Sequence, residues 1–118
     1  MQKPLNHRDK FGGVTFTASE FSLPKCITVM PDLIDTHCHL NEESFDVDRA
    51  EVVARAEAAG VGTMIVIGTT ADTSRQAVEI AQQFRSVFAA VGIQPNYVAE
   101  AKVGDWEAIG ELAKQPKV

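Results

Sequence analysis

The sequence predicts an α/β fold made of parallel βαβαβα units. Three observations carry the prediction. From residue 32 onward, short apolar runs alternate with longer amphipathic stretches. The runs are rich in β-branched residues, the composition of strands covered by helices rather than washed by water. The stretches between them have helical length, too long for hairpin loops. Strands separated by such crossovers lie parallel, with right-handed connections.

Each element can be justified in turn. "DLIDTHC" (32–38) reads as a buried strand. "DVDRAEVVARAEAAG" follows, with Val47, Ala50, Val53 and Ala54 at helical spacing, Asp46 as the expected N-cap and Gly60 as the stop. "GTMIVIG" (62–68) is a continuous apolar run and reads as a strand covered on both faces. In "DTSRQAVEIAQQF", Ala77, Ile80, Ala81 and Phe84 fall at i, i+3, i+4 and i+7, one face of a helix. The Gly68-Thr69-Thr70 segment before it reads as turn and cap chemistry, in preference to an anion site at the helix N-terminus. "VFAAVG" is a third strand and "DWEAIGELAK" a third helix, with Asp105 as the expected cap and Trp106, Ile109 and Leu112 facing inward. "QPKV" stops that helix at Pro116 and leads into a fourth strand. Periodicity alone does not choose between an open doubly wound sheet and a closed (β/α)₈ barrel.

Residues 1–30 differ. They mix Pro4, Gly12, Gly13 and Pro24 with polar residues at no sustained period, and read as an irregular N-terminal extension to a domain at 31–118. Met30, directly ahead of the first strand, is a candidate biological start. The 118 residues allow one domain. The net charge is −5, and basic residues predominate only in the extension; an acidic body disfavours broad electrostatic binding to a polyanion. No apolar run has the length of a membrane span, and no apolar segment follows the early basic residues as a secretory signal requires. Cys26 and Cys38 form no CxxC pair, which suits free thiols and a cytoplasmic location.

The chemistry concentrates at "LIDTHCHLNEESF". Of three histidines in the chain, His37 and His39 stand here, two residues apart. Side chains at i and i+2 of a strand project to one face, with α-carbons about 6.5–7 Å apart. His37, His39 and Asp35 therefore point together, and Cys38 points away. Two imidazoles so placed can share one divalent ion. They sit where the strand gives way to its loop, the carboxyl end at which parallel α/β folds build sites. Asp35 could orient a histidine ring from behind. A catalytic zinc usually takes three protein ligands, and residues 40–118 hold no further histidine. Glu42 and Glu43 are close, but at loop positions where a carboxylate is ordinarily solvated. His7, in the extension, has no expected role.

At this point the sequence resembles a known family. "LIDTHCHLNEESFDVD" is similar to the opening of the TatD-family metal-dependent hydrolases, "VIGTTADTSRQAVEIAQQF" to their second strand and helix, and "VFAAVGIQPNYVAE" to their third strand and loop. The resemblance covers about residues 31–118. It implies the first part of an incomplete TIM (β/α)₈ barrel and hydrolysis of phosphodiester bonds, many members being deoxyribonucleases that act on DNA. It implies a divalent cation (zinc, magnesium or manganese), with His37 and His39 as the first two ligands. The other ligands of the family come from later strands, beginning with a Glu in a "GE.GLD" segment, and no catalytic residue proper is expected within this chain.

One position departs from the family pattern. The third strand of the family commonly ends in "GxHP", and here it ends in "GIQP", with Gln94 in the histidine position. Gln94 is a candidate for the substrate loop; it can hydrogen-bond, but it neither gives up a proton at neutral pH nor ligates a metal well. Three functions stay open: a truncated hydrolase with little activity of its own, an enzyme completed by assembly, or a non-catalytic module that captures metal weakly. Three βα units leave strand edges and apolar sheet faces uncovered, so self-association is expected.

Overall fold

A computed structural model describes residues 32–118. Three strands, β1 (Leu33–Cys38), β2 (Val61–Ile67) and β3 (Val87–Ala90), form a parallel sheet in the order β1-β2-β3. Helices α1 (Arg49–Ala58), α2 (Ala71–Gln83) and α3 (Asp105–Leu112) alternate with them, as the sequence predicts. The readings on residues 1–30, on His7, Cys26 and Met30, lie outside the described residues.

The core is one-sided. Met64 and Val66 of β2 and Val87 and Ala89 of β3 point into the helical layer and are buried against Val53 of α1 and Ala77, Val78, Ile80 and Ala81 of α2. Phe84 closes the lower end of this cluster, half-buried. The other face of the sheet is open, so the expectation that "GTMIVIG" is covered on both sides is met on one. β1 is likewise no buried strand: Leu33 is 52% and Ile34 61% exposed. β1 lies at the edge of the sheet and gains its cover mainly where the chain turns, at Leu40, which is 4% exposed.

Local chemistry sets the helix ends, in places differently from the expectation. α2 is capped by Thr70, whose Oγ1 accepts from the Thr73 amide while Thr73 Oγ1 accepts from the Thr70 amide, a reciprocal capping box. This is the turn-and-cap role read from Gly68-Thr69-Thr70. α1 starts after Asp48, and Asp46 instead ends a short 3₁₀ turn at Glu43–Phe45 and pairs with Arg49. The helix is thereby rotated: Val52, Val53 and Ala56 face the core, while Val47 stands outside it, 92% exposed. Gly60 ends it at φ 93°, a backbone state that favours glycine. α3 is capped by Gly104, also at φ 93°. Asp105 is its first residue, and the carboxylate accepts from the Lys102 amide. Leu112 reaches the core and Ile109 is half-buried, but Trp106, expected inside, is 57% exposed on the outer side.

The end of the chain returns to the sheet. The Ala89 amide donates to Lys117 O at 2.9 Å, but Lys117 stands at φ 69° and residues 113–117 form turns and a bend, so the expected fourth strand is not formed among the described residues. Lys117 Nζ donates to the carbonyls of Ala81 and Phe84, the negative end of α2. Burial pushes this ammonium below its ordinary pKa.

Candidate metal centre

The carboxyl ends of the three strands meet at one cleft. His37 is the fifth residue of β1, and His39 is the first beyond its end. Cys38 lies side by side with Val66 of β2 and packs into the helical layer, so both histidines are turned to the open face. Their Nε2 atoms approach to 3.2 Å, with the rings edge to face at 74°.

This pair can be tested against a shared ion. Two nitrogens 3.2 Å apart, each about 2.1 Å from one centre, subtend about 100° there, which suits neighbouring positions of a tetrahedral or octahedral shell. The donors are imidazole nitrogens, which suit zinc better than magnesium. The pair therefore fits a divalent metal as two of its ligands. Among the described residues no cluster of three metal-ligating side chains occurs. Glu42 and Glu43 are exposed, as expected of carboxylates at the start of a turn.

Asp35 stands beside Met64, with a register irregularity between it and Cys38, and its Oδ1 accepts from the His37 main-chain amide at 3.1 Å. The bond thus braces the main chain from which His37 projects and does not reach the imidazole. Cys38 is unsuited to the same ion. Its thiol donates to Ile65 O at 3.3 Å, and burial first, then the Asp35 charge, pushes its pKa up, against a smaller lowering by a bond to the Leu40 main chain. A metal-ligating cysteine needs the thiolate.

The structure brings Gln94 to the same place. A cleft of about 280 Å³ is lined by His37, His39, Ile67, Gly68, Thr69, Gly92, Ile93 and Gln94. The Gln94 main-chain amide donates to Thr69 O at 2.8 Å, which ties the β3 loop to the β2 loop. Side chains outside the histidine motif hold this site together. Thr69 OH meets Thr73 OH, and its main-chain amide donates to Thr73 Oγ1. Asn41 Nδ2 donates to Ile67 O and Thr73 O. Ser74, fully buried, both accepts from the Gly92 amide at 3.1 Å and donates to Gly92 O at 3.2 Å. Ser74 left one trace in the sequence, a hydroxyl inside the apolar stripe of α2.

Comparison with known proteins places the chain in a family. The TatD-related DNase family model matches residues 34–118. The chain is 36% identical over 86 residues to the uncharacterized metal-dependent hydrolase YabD of Bacillus subtilis, covering 73% of this chain and 34% of that protein. It is 36% identical over 86 residues to the 3'-5' ssDNA/RNA exonuclease TatD of Escherichia coli K12, covering 73% and 33%. The crystal structure of YJJV, a TatD homologue from Escherichia coli K12, superposes with a TM-score of 0.65 at 28% identity, over 74% of this chain and 34% of that one. The chain thus spans about a third of the length of these relatives. Its parallel units are the N-terminal part of a TIM-barrel architecture, and the chain belongs to the TatD-related DNase family.

Proposed function

We propose that the protein serves metal-dependent hydrolysis of phosphodiester bonds in nucleic acid, with His37 and His39 as the first two ligands of a divalent ion. One observation carries this reading: the two Nε2 atoms converge to 3.2 Å at the mouth of a cleft shared by all three strand ends. Relatives named as exonucleases of single-stranded DNA and RNA support a nucleic-acid substrate. A bound divalent ion would lower the pKa of a coordinated water and polarise a phosphoryl oxygen. The chain's own residues hold that corner. Asp35 braces the main chain of His37, and Gln94 offers an amide that can orient a phosphate oxygen but cannot transfer a proton. A reducing compartment, the cytoplasm, suits the free thiol of Cys38.

The test is calorimetric titration with Zn²⁺. The wild-type chain is expected to bind weakly, as two ligands dictate, and the double variant His37→Ala/His39→Ala to lose the heat. Equal heats in both proteins refute the metal role. The lack of a third ligand among the described residues favours a second reading, in which this stretch captures metal but does not cleave. A nuclease assay on single-stranded DNA with Mn²⁺ separates the two: cleavage that the double variant loses is hydrolysis, and binding without cleavage is capture.

The open face has a consequence in solution. Leu33, Ile34 and Phe88, the last 40% exposed, present strand surface to water. We infer that copies of the chain associate through it. Sedimentation velocity over a tenfold concentration range is expected to show species heavier than the monomer. A sharp monomer with a two-state melt contradicts this.

A further inference from the structure

His37 and His39 are held in different ways. His37 belongs to β1 and is fixed by the sheet and by Asp35. His39 lies one residue beyond the strand, so no ladder bond of β1 fixes it. The turn that follows must place its ring. That turn runs from His39 to Glu42, closed by the Glu42 amide donating to His39 O at 3.0 Å. Three bonds anchor it to the body of the molecule. Arg49 Nε donates to Leu40 O at 2.7 Å, and Asn41 Nδ2 donates to Ile67 O at 3.4 Å and to Thr73 O at 3.3 Å. Among the hydrogen bonds of the described residues, those of the Asn41 side chain tie the turn to the cleft itself, since Ile67 ends β2 at the cleft wall and Thr73 is the hub of the α2 cap.

We propose that Asn41 is a positioning residue: its amide clamps the His39 turn to the end of β2 and the start of α2, and so keeps the His39 ring against His37. The proposal rests on the reading of these histidines as a metal pair. The amide orientation is dictated, because both partners are carbonyls and only the NH₂ end can serve them. The arrangement has a cost that argues for its purpose. Asn41 Oδ1 is buried with no hydrogen-bond partner among the described residues. Buried polar atoms are normally paired, and a local rule broken beside a ligand pair marks a residue kept for the site rather than for stability.

The test compares Asn41→Ala and Asn41→Asp in the full chain. Asn41→Asp keeps the shape but sets a carboxylate against two carbonyls. Two readouts are taken. The first is the nuclear Overhauser effect between the His37 and His39 rings, which needs no metal. The second is Zn²⁺ affinity. Both variants are expected to lose the ring-to-ring effect and to bind Zn²⁺ at least about tenfold more weakly, while backbone signals of β3 and α3 stay in place. Persistence of the ring contact in both variants, or wild-type Zn²⁺ affinity in Asn41→Asp, overturns the proposal. Should Asn41→Ala fail to fold, Asn41→Ser, which retains one donor, carries the same comparison. If wild type and His37→Ala/His39→Ala bind Zn²⁺ alike, the metal reading falls, and the ring contact still decides the role of Asn41.

Discussion

Replacing Gly68 by alanine is expected to destabilise the protein by about 3 kcal/mol, the upper range for forcing extra volume into a packed site. The reason is space, with no need for an unusual backbone angle. A Cβ at Gly68 would lie 2.3 Å from Ser74 Oγ, 2.5 Å from Ser74 Cα and 2.8 Å from Ser74 Cβ. A rotamer change could move the hydroxyl, but the Cα belongs to the backbone of α2. The strand end and the helix would have to part. Gly68 cannot easily retreat, because its amide donates to Ala90 O at 2.8 Å. At the size of this domain, 3 kcal/mol corresponds to a fall of more than about ten degrees in melting temperature. Gly110 provides the control: nothing lies within 4 Å of its built Cβ, so Gly110→Ala in α3 is expected to stabilise by about 0.5–1 kcal/mol through helix propensity. Circular dichroism melts at one protein concentration check both. A Gly68→Ala melt within about three degrees of wild type would show that β2 and α2 are less tightly joined than their geometry requires.

Gly68 also illustrates what the sequence discloses. Elements showed through periodicity, because apolar residues must face a layer and the layer has a fixed repeat. That made β2, α2 and β3 legible almost to the residue. Facing direction was harder. Val47 and Trp106 fit a helical stripe on paper, yet both point to water, because α1 starts later than Asp46 suggests and α3 lies against α2 with Ala108, Ile109 and Leu112, not Trp106, partly covered. Burial of β1 could not be read either: "DLIDTHC" has strand composition, but composition does not say which neighbours a strand will have. The histidine pair was legible because residues two apart on an extended chain project to one side, and the pair still converges although β1 has a register irregularity between Asp35 and Cys38 and His39 lies beyond its end. Its supports were not. Asn41 and Ser74 bond to carbonyls and amides 26 and 18 residues away, to Ile67 and Gly92, and main-chain partners leave no mark in a sequence.

The second large effect concerns Ser74. Its hydroxyl is the link between α2 and the loop that carries Gln94 into the cleft, accepting and donating with the same residue, Gly92. Ser74→Ala removes both bonds from a fully buried side chain while leaving the Gly92 amide and carbonyl without their partner. Each lost bond is worth about 1 kcal/mol, and an unpaired polar group costs more where water cannot reach it. About 2 kcal/mol of destabilisation is therefore expected. The loss should be local before it is global, since the strand and helix cores make no use of the hydroxyl. Amide exchange tests this directly: in Ser74→Ala, Gly92 should join the fast-exchanging amides while Val66 and Val87 in the core stay protected. The cleft should respond too, because Gln94 is held there by its own amide bond to Thr69 O and by the anchored residues before it. If Gly92 stays protected and the melt is unchanged, Ser74 merely fills space under Gly68. The site would then be shaped by packing alone, and alanine would do as well as serine.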